Sequence, residues 1–351
     1  MKTKNIMNVF RGIRAARTAC ALVFMMALGL AIPAGAFQHP QPPTPPSSGE
    51  PGGAGPCGMQ EQVIENPAFP KQKVWIFSPS GPDMPKTGGT CDDNHRPAIF
   101  IAPGFFGITP QIAMYPVIRH LVSNGHIVIF ANYWINLRYY RHYDTVDSGF
   151  QAGAQNILDR IDLDNIGFLG HSFGAGMIPA MVQRAAARGW GSESLWAVMM
   201  APWYSYQVGS GPIDLPAHTL ALVINFDEDV VVDARIGIEL FHALNIPYYQ
   251  KQHLMIRSEI RGPTVLIAEH LTPTPLLGTL NSLEVYGILR PLDIMSSCAR
   301  TGMQCEADLG FMGIWSDGVP ARRALSTDNP IDLGPVAIWE CSNPLNLRGC
   351  P

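Results

Sequence analysis

From residue 97 onward the chain alternates short, unbroken apolar runs with longer stretches of helical spacing. Pro97-Ala98-Ile99-Phe100-Ile101-Ala102 is continuous and apolar, as expected of a strand covered on both faces. Residues 110–123 bring Ile112, Tyr115, Ile118 and Leu121 near one helical face, and Gly125 ends that helix. Further strands are predicted at 126–131, 166–169, 195–200 and 220–226, and further helices at 146–160, 175–187 and 233–244. Strands alternating with helices predict an α/β fold, a mainly parallel twisted sheet flanked by helices. In such sheets, chemistry gathers beyond the carboxyl ends of the strands.

The pattern differs at both ends. Lys2, Lys4, Arg11, Arg14 and Arg17 precede an apolar run from about 19 to 32 and then Ala34-Gly35-Ala36. Residues 1–36 therefore read as an export signal with a small-x-small cleavage site. The run falls short of the roughly 20 residues of a membrane span; an uncleaved anchor is the competing reading. Cys20 sits at the start of the run, which argues against lipid attachment there. Residues 37–56, rich in Pro, Gly and Ser, read as a disordered linker without enough apolar surface to order itself. The main domain is expected over 57–297, with 298–351 as an extension packed on the same domain.

Charge and cysteine content narrow the partners. Removing 1–36 takes five basic and no acidic residues, so 24 Lys and Arg become 19 against 28 Asp and Glu, and the formal charge moves from -4 to -9. An acidic chain is a poor match for nucleic acid. Six cysteines follow the signal: Cys57, Cys91, Cys298, Cys305, Cys341 and Cys350. An even number in an exported chain suggests disulfides, with 15 possible pairings. Pairing of neighbours is expected: Cys57–Cys91, Cys298–Cys305 and Cys341–Cys350. No Cys-x-x-Cys and no His cluster of zinc-ligand spacing stands out, so no metal or cofactor is expected. The location expected is periplasmic or secreted.

Gly170-His171-Ser172-Phe173-Gly174 matches the Gly-x-Ser-x-Gly nucleophile elbow. So short a motif is weak alone. Here an apolar strand runs into it and a helix-compatible stretch runs out. A strand turning sharply into a helix strains the serine backbone, and neighbours without Cβ avoid clashes there. The hydroxyl then stands at a helix N-terminus, which favours developing negative charge.

A serine nucleophile needs a base, and the base an orienting acid, in the chain order Ser, acid, His. The strand 220–226 ends in Asp227-Glu228-Asp229-Val230-Val231-Val232-Asp233. Asp229 is the preferred acid, Asp227 the alternative, and Asp233 resembles a helix N-cap. Of the later histidines, His242 falls in a helix and His253 opens a strand-like run. His270 follows Thr264-Val265-Leu266-Ile267-Ala268-Glu269 on a loop, and is the preferred base. A hairpin around Arg261-Gly262-Pro263 accounts for the long gap from Asp229. The oxyanion hole is assigned to the N–H groups of Phe173, next to the nucleophile, and of Phe105 in Pro103-Gly104-Phe105-Phe106-Gly107.

Pro103-Gly104-Phe105, Gly170-His171-Ser172-Phe173-Gly174 and Ala201-Pro202-Trp203 together resemble the cutinase and polyester-hydrolase group of the α/β-hydrolase superfamily. Dienelactone hydrolases and the lipases similar to platelet-activating-factor acetylhydrolase are related to that group. The resemblance covers about 97–273. It implies that Phe105 and Trp203 line the acyl or aromatic subsite, with core packing as the alternative for Trp203. The chain departs from the group in having Phe173 rather than Met after the nucleophile. It also has a Tyr- and Arg-rich segment at 132–147 and a long C-terminal part with four cysteines. The expected activity is therefore general carboxylic ester hydrolysis, on a small-molecule, lipid or polyester ester. An amidase or peptidase with the same triad, and a non-catalytic envelope binding protein, are the alternatives.

Overall fold

The computed structural model describes residues 39–81, 91, 95–105, 107, 109–134, 140–275 and 279–334. The expected signal at 1–36 and the expected Cys341–Cys350 bridge lie outside the described residues.

An antiparallel hairpin, β1 (Gly58–Asn66) and β2 (Phe69–Ser80), opens the domain. β3 (Arg96–Ala102) connects through α1 (Pro110–Ala113) and α2 (Tyr115–Ser123) to β4 (Ile127–Ala131). α3 (Tyr140–Asn156) leads to β5 (Ile161–His171), and α4 (Phe173–Ala187) to β6 (Ser194–Met200). The short β7 (Ile213–Asp214) precedes β8 (Leu220–Phe226) and α5 (Ala234–Ala243). β9 (Leu244–Asn245) pairs with β7, and β10 (Lys251–Ile256) follows. A small hairpin, β11 (Glu259–Arg261) and β12 (Thr264–Leu266), stands beyond it. α6 (Ser282–Glu284) runs through a π turn at Val285–Leu289 into α7 (Arg290–Thr301), and β13 (Leu325–Thr327) comes last.

Among the described residues, nine strands form one sheet in the order β1-β2-β4-β3-β5-β6-β8-β10-β13. From β4 to β10 every neighbouring pair is parallel; the flanking pairs β1/β2, β2/β4 and β10/β13 are antiparallel. The class is thus α/β with a large, mostly parallel central sheet flanked by helices. Alternate residues of each strand supply two cores. Ile99 and Ile101 face α2, the α6–α7 region and the C-terminal part. Ala98, Phe100 and Ala102 face α3, α4 and α5. On the second face Phe100 stacks on Phe168 (5.3 Å) and Trp190 (5.4 Å). Burying one such ring contributes about 2–3 kcal/mol.

The β1–β2 hairpin had no counterpart among the predicted strands. Its outer strand is largely exposed and carries Glu61, Glu65 and Gln62, so no continuous apolar run marks it. α3 starts at Tyr140, before the expected 146, and ends before 160.

The expected disorder of 37–56 is a correction, because residues 39–56 dock on the domain. Gln41 N donates to Ser316 Oγ (2.8 Å), and Ser316 N donates back to the Gln41 carbonyl (3.1 Å). The Tyr286 hydroxyl donates to the Thr44 carbonyl (2.7 Å), and Gly52 N to Asp293 Oδ2 (2.7 Å). Gly55 N donates to Ser123 Oγ (2.9 Å), and a Cβ on Gly55 would lie 1.9 Å from the Ser123 carbonyl oxygen. A strap held by its backbone needs few large apolar side chains of its own, because the receiving surface supplies them. Composition alone does not register that. Disulfides Cys57–Cys91 and Cys298–Cys305 are formed. The former closes 34 residues of sequence separation, worth about 4 kcal/mol in the chain-entropy model. Leu309, Met312, Trp315, Ala321 and Ala324 of the C-terminal part are buried in the first core. No helix among the described residues is long and apolar enough to cross a membrane.

Burial holds three histidines neutral. It pushes His126 and His253 down to about 4 and His171 down to about 3. Burial also pushes the Glu284 carboxyl up to about 7. An unfolded chain protonates these histidines near 6.5 and releases the Glu284 proton near 4.5. Between these values the unfolded chain holds three more protons on the histidines and one fewer on Glu284, a net excess of two. Stability is therefore expected to fall on acidification from pH 6.5 to 4.5, by ~3 kcal/mol per pH unit at the steepest. Thermal unfolding followed across that interval checks this; a Tm that held level or rose would contradict it.

Candidate active site

The register of the sheet brings the ends of its parallel strands to one edge. Ala102 of β3 pairs with Gly170 of β5, His171 of β5 with Met200 of β6, and Ile256 of β10 with Phe226 of β8. Ser172, the Ala201–Trp203 turn and Asp229 each follow one of these ends, and His270 lies on the segment beyond the β11–β12 hairpin.

Ser172 sits between β5 and α4 at φ 55°, ψ -123°, a strained conformation for a residue with a Cβ, costing ~1–3 kcal/mol. Its backbone is clamped by the neighbouring turn. Ser172 N donates to the Met200 carbonyl (2.9 Å), and Trp203 N donates to the Ser172 carbonyl (2.9 Å). Ala201, itself at φ 44°, makes that turn possible. The motif glycines answer to packing. A Cβ on Gly174 would lie 2.1 Å from the Ala102 carbonyl oxygen, and one on Gly170 would lie 2.6 Å from Ala175 Cα. A Cβ on Gly104 would come within 3.3 Å of Ser172 Cβ. Ser172 occupies the N-cap position of α4, yet its side chain caps nothing. The hydroxyl is left to another partner.

That partner is His270. The Ser172 hydroxyl donates to His270 Nε2 (3.0 Å), and His270 Nδ1–H donates to Asp229 Oδ2 (2.7 Å). The other carboxylate oxygen of Asp229 accepts the N–H groups of Val231 and Val232, both at 2.8 Å. Side chains 98 and 41 residues apart in sequence thus form one continuous chain of hydrogen bonds. The Asp229 side chain is 3% exposed, so its hydrogen bond to His270 is shielded from water.

The alternatives are engaged elsewhere. His253 is buried within β10 and accepts from Asn225 Nδ2 (3.1 Å). His242 donates to the Pro330 carbonyl (2.9 Å). Asp233 caps α5 by accepting from Arg235 N (2.9 Å). Asp227 accepts from Ser258 N (2.8 Å) and Ser258 Oγ (2.7 Å).

Phe173 is buried at the first turn of α4, where N–H groups have no intrahelical partner. Its ring packs edge-on to Phe105 (5.7 Å) and His142 (5.8 Å) and lies against Tyr133 (5.9 Å) and Tyr206 (6.3 Å). Phe105 is half-buried on the loop after β3. Trp203, also half-buried, packs edge-on to Tyr204 (5.3 Å) and joins the core on the α4 side.

Several contributors carried no signal in the sequence. The Tyr133 hydroxyl donates to the Pro103 carbonyl (3.1 Å) and holds the loop that bears Phe105. The Tyr143 hydroxyl bridges Gly176 O (3.1 Å) and Tyr206 N (2.9 Å). Tyr133 and Tyr143, from the stretch that departs from the resembled group, thus pack behind this loop and helix. His171 donates from Nε2 to the His270 carbonyl (2.8 Å). Among the described residues no group of three or more His, Cys, Asp or Glu is placed to hold a metal ion. No family model matches the chain, and no curated protein matches it either.

Proposed function

We propose that the chain is an exported serine hydrolase of the α/β-hydrolase fold that cleaves carboxylic esters. The observation that carries this reading is the unbroken Asp229–His270–Ser172 chain on a strained strand-to-helix turn. The chain order Ser, Asp, His supports the fold assignment. Two disulfides and the N-terminal pattern support export to an oxidising compartment, periplasmic or extracellular.

In this reading Ser172 Oγ attacks the ester carbonyl while His270 Nε2 takes its proton. The developing oxyanion accepts N–H groups of Phe105 and Phe173, each such donor typically worth ~10²–10³ in rate. His270 then returns the proton to the departing alkoxide, leaving an acyl-Ser172. Water attacks the acyl group, giving its proton to His270, and the acid is released with Ser172 reprotonated. Asp229 keeps Nδ1 protonated, so Nε2 is free to accept at the start of each half-reaction. Phe105 and Trp203 line the acyl side of the pocket. Esters need less help with the leaving group than amides, which favours ester cleavage.

The test combines a fluorophosphonate probe with nitrophenyl esters of increasing chain length. Labelling of the folded wild-type chain at Ser172 and ester turnover are expected. His270→Ala is expected to abolish both, whereas His253→Ala acts mainly on Tm. Labelling with amide but no ester turnover would indicate the amidase; no labelling would indicate a binding protein on this fold.

A further inference from the structure

His171 fills the variable position of Gly-x-Ser-x-Gly and takes no part in the bond-making steps above. Its buried ring nevertheless touches three arms of the site. It belongs to β5, one residue before Ser172. Its Nε2–H donates to the His270 carbonyl at 2.8 Å, and the two imidazole centroids lie 4.7 Å apart. On its other side, a Cβ built on Gly104 would lie 3.1 Å from His171 Nδ1, so the ring abuts the loop that carries Phe105.

The base needs such support, because His270 lies on a loop and not within a strand or helix. Ahead of it, Ala268 N donates to Ser258 Oγ (2.9 Å) and Glu228 N donates to the Ala268 carbonyl (3.0 Å). Ser258 is in turn tied to Asp227. Glu269 N donates to Thr272 Oγ1 (2.9 Å). These bonds hold the two residues before the base, and the His171 bond holds the base residue itself. Burial keeps the His171 ring neutral. It therefore sets no second positive charge beside His270 when that ring receives the serine proton.

We infer that His171 is a positioning residue: its Nε2–H grips the His270 carbonyl and aligns that imidazole between Asp229 and Ser172. The consequence for rate rests on the esterase reading; the alignment does not.

Gln and Met at 171 have similar length and differ in the donor, so they form the test pair. His171→Gln is expected to keep kcat within about tenfold of wild type. His171→Met is expected to lose ~10²-fold in kcat, the scale of an ångström-sized misplacement, with KM changed less than about twofold. A second readout needs no turnover: the low-field proton resonance of His270 Nδ1–H, assigned with ¹⁵N-labelled histidine. It is expected to be sharp in wild type and His171→Gln, and broadened by solvent exchange in His171→Met. Should His171→Met not fold, His171→Asn, one carbon too short to reach the carbonyl, takes its place with the same expected deficit. Wild-type kcat and a sharp resonance without the donor would overturn the inference. So would equal losses in the Gln and Met variants, which would mark ring packing as the cause. If the wild-type chain neither labels nor cleaves esters, the esterase reading fails and the resonance still decides the alignment.

Discussion

Ser172→Ala is expected to lower kcat for a nitrophenyl ester by ~10⁶-fold while leaving the fold intact. The size follows from the loss of the attacking atom itself. Among the described residues, Ser172 Oγ is the hydroxyl bonded to His270 Nε2 at the head of the bond chain to Asp229. The residual rate reflects the oxyanion donors and the bound geometry, worth ~10³–10⁴ over water in comparable sites. Stability should change little, because the Ser172 side chain caps nothing in α4. The strained backbone is held by Met200, Trp203 and Gly176 through main-chain atoms that alanine retains. The variant should also lose fluorophosphonate labelling, with circular dichroism and Tm close to wild type. Activity within tenfold of wild type in a folded Ser172→Ala protein would remove Ser172 as the nucleophile.

The parallel centre of the sheet was legible because its strands are buried on both faces and read as apolar runs. β3, β4, β6 and β8 fall within a residue or so of the runs that announce them. Where one face meets solvent, that signal disappears. β1 pairs Glu61 with Phe77 and Glu65 with Lys73, so charge breaks up the outer strand of the hairpin. β2, by contrast, does carry a buried apolar run, Val74-Trp75-Ile76-Phe77, that the pattern of runs left out. β5 begins at Ile161, before the apolar run at 166, because Asp162 and Asp164 interrupt its start. The strap at 39–56 was misread for a related reason. Its order comes from Ser316, Tyr286, Asp293 and Ser123, side chains 68 to 275 residues away in sequence, which local composition does not see.

The site divides in the same way. Ser172, Asp229 and His270 were legible because each must follow a strand end, and strand ends can be found from apolar runs. The supporting bonds were not. Nothing in the sequence says that Tyr133 reaches the Pro103 carbonyl or that His171 reaches the His270 carbonyl. Asp227 illustrates the boundary. By position it is the alternative acid, yet it ties down the loop of His270 at one remove, through Ser258. Asp227 and Asp229 stand two positions apart, and only the side-chain directions in the folded chain separate them.

Asp229→Asn is the sharper test of how the site works, since it changes one atom and nearly nothing of the shape. Oδ1 of Asp229 accepts two N–H groups, from Val231 and Val232, while Oδ2 accepts His270 Nδ1–H. An amide has one oxygen. If that oxygen stays on the two valine donors, the NH₂ group faces His270 and donates to Nδ1. The imidazole proton must then move to Nε2, which can no longer accept from Ser172. If the amide turns over, its NH₂ meets two N–H donors at hydrogen-bond distance, an arrangement of unpaired donors costing ~1–3 kcal/mol or more for the buried groups. The valine N–H groups therefore select the orientation that imposes the wrong tautomer. Turnover is expected to fall ~10⁴-fold, with KM and Tm little changed. Asp227→Asn makes the control, because Asp227 touches Ser258 and not the imidazole; a loss of less than ~10-fold is expected there. Steady-state kinetics of the two variants side by side checks both. A large loss in Asp227→Asn with a mild one in Asp229→Asn would transfer the orienting role to Asp227.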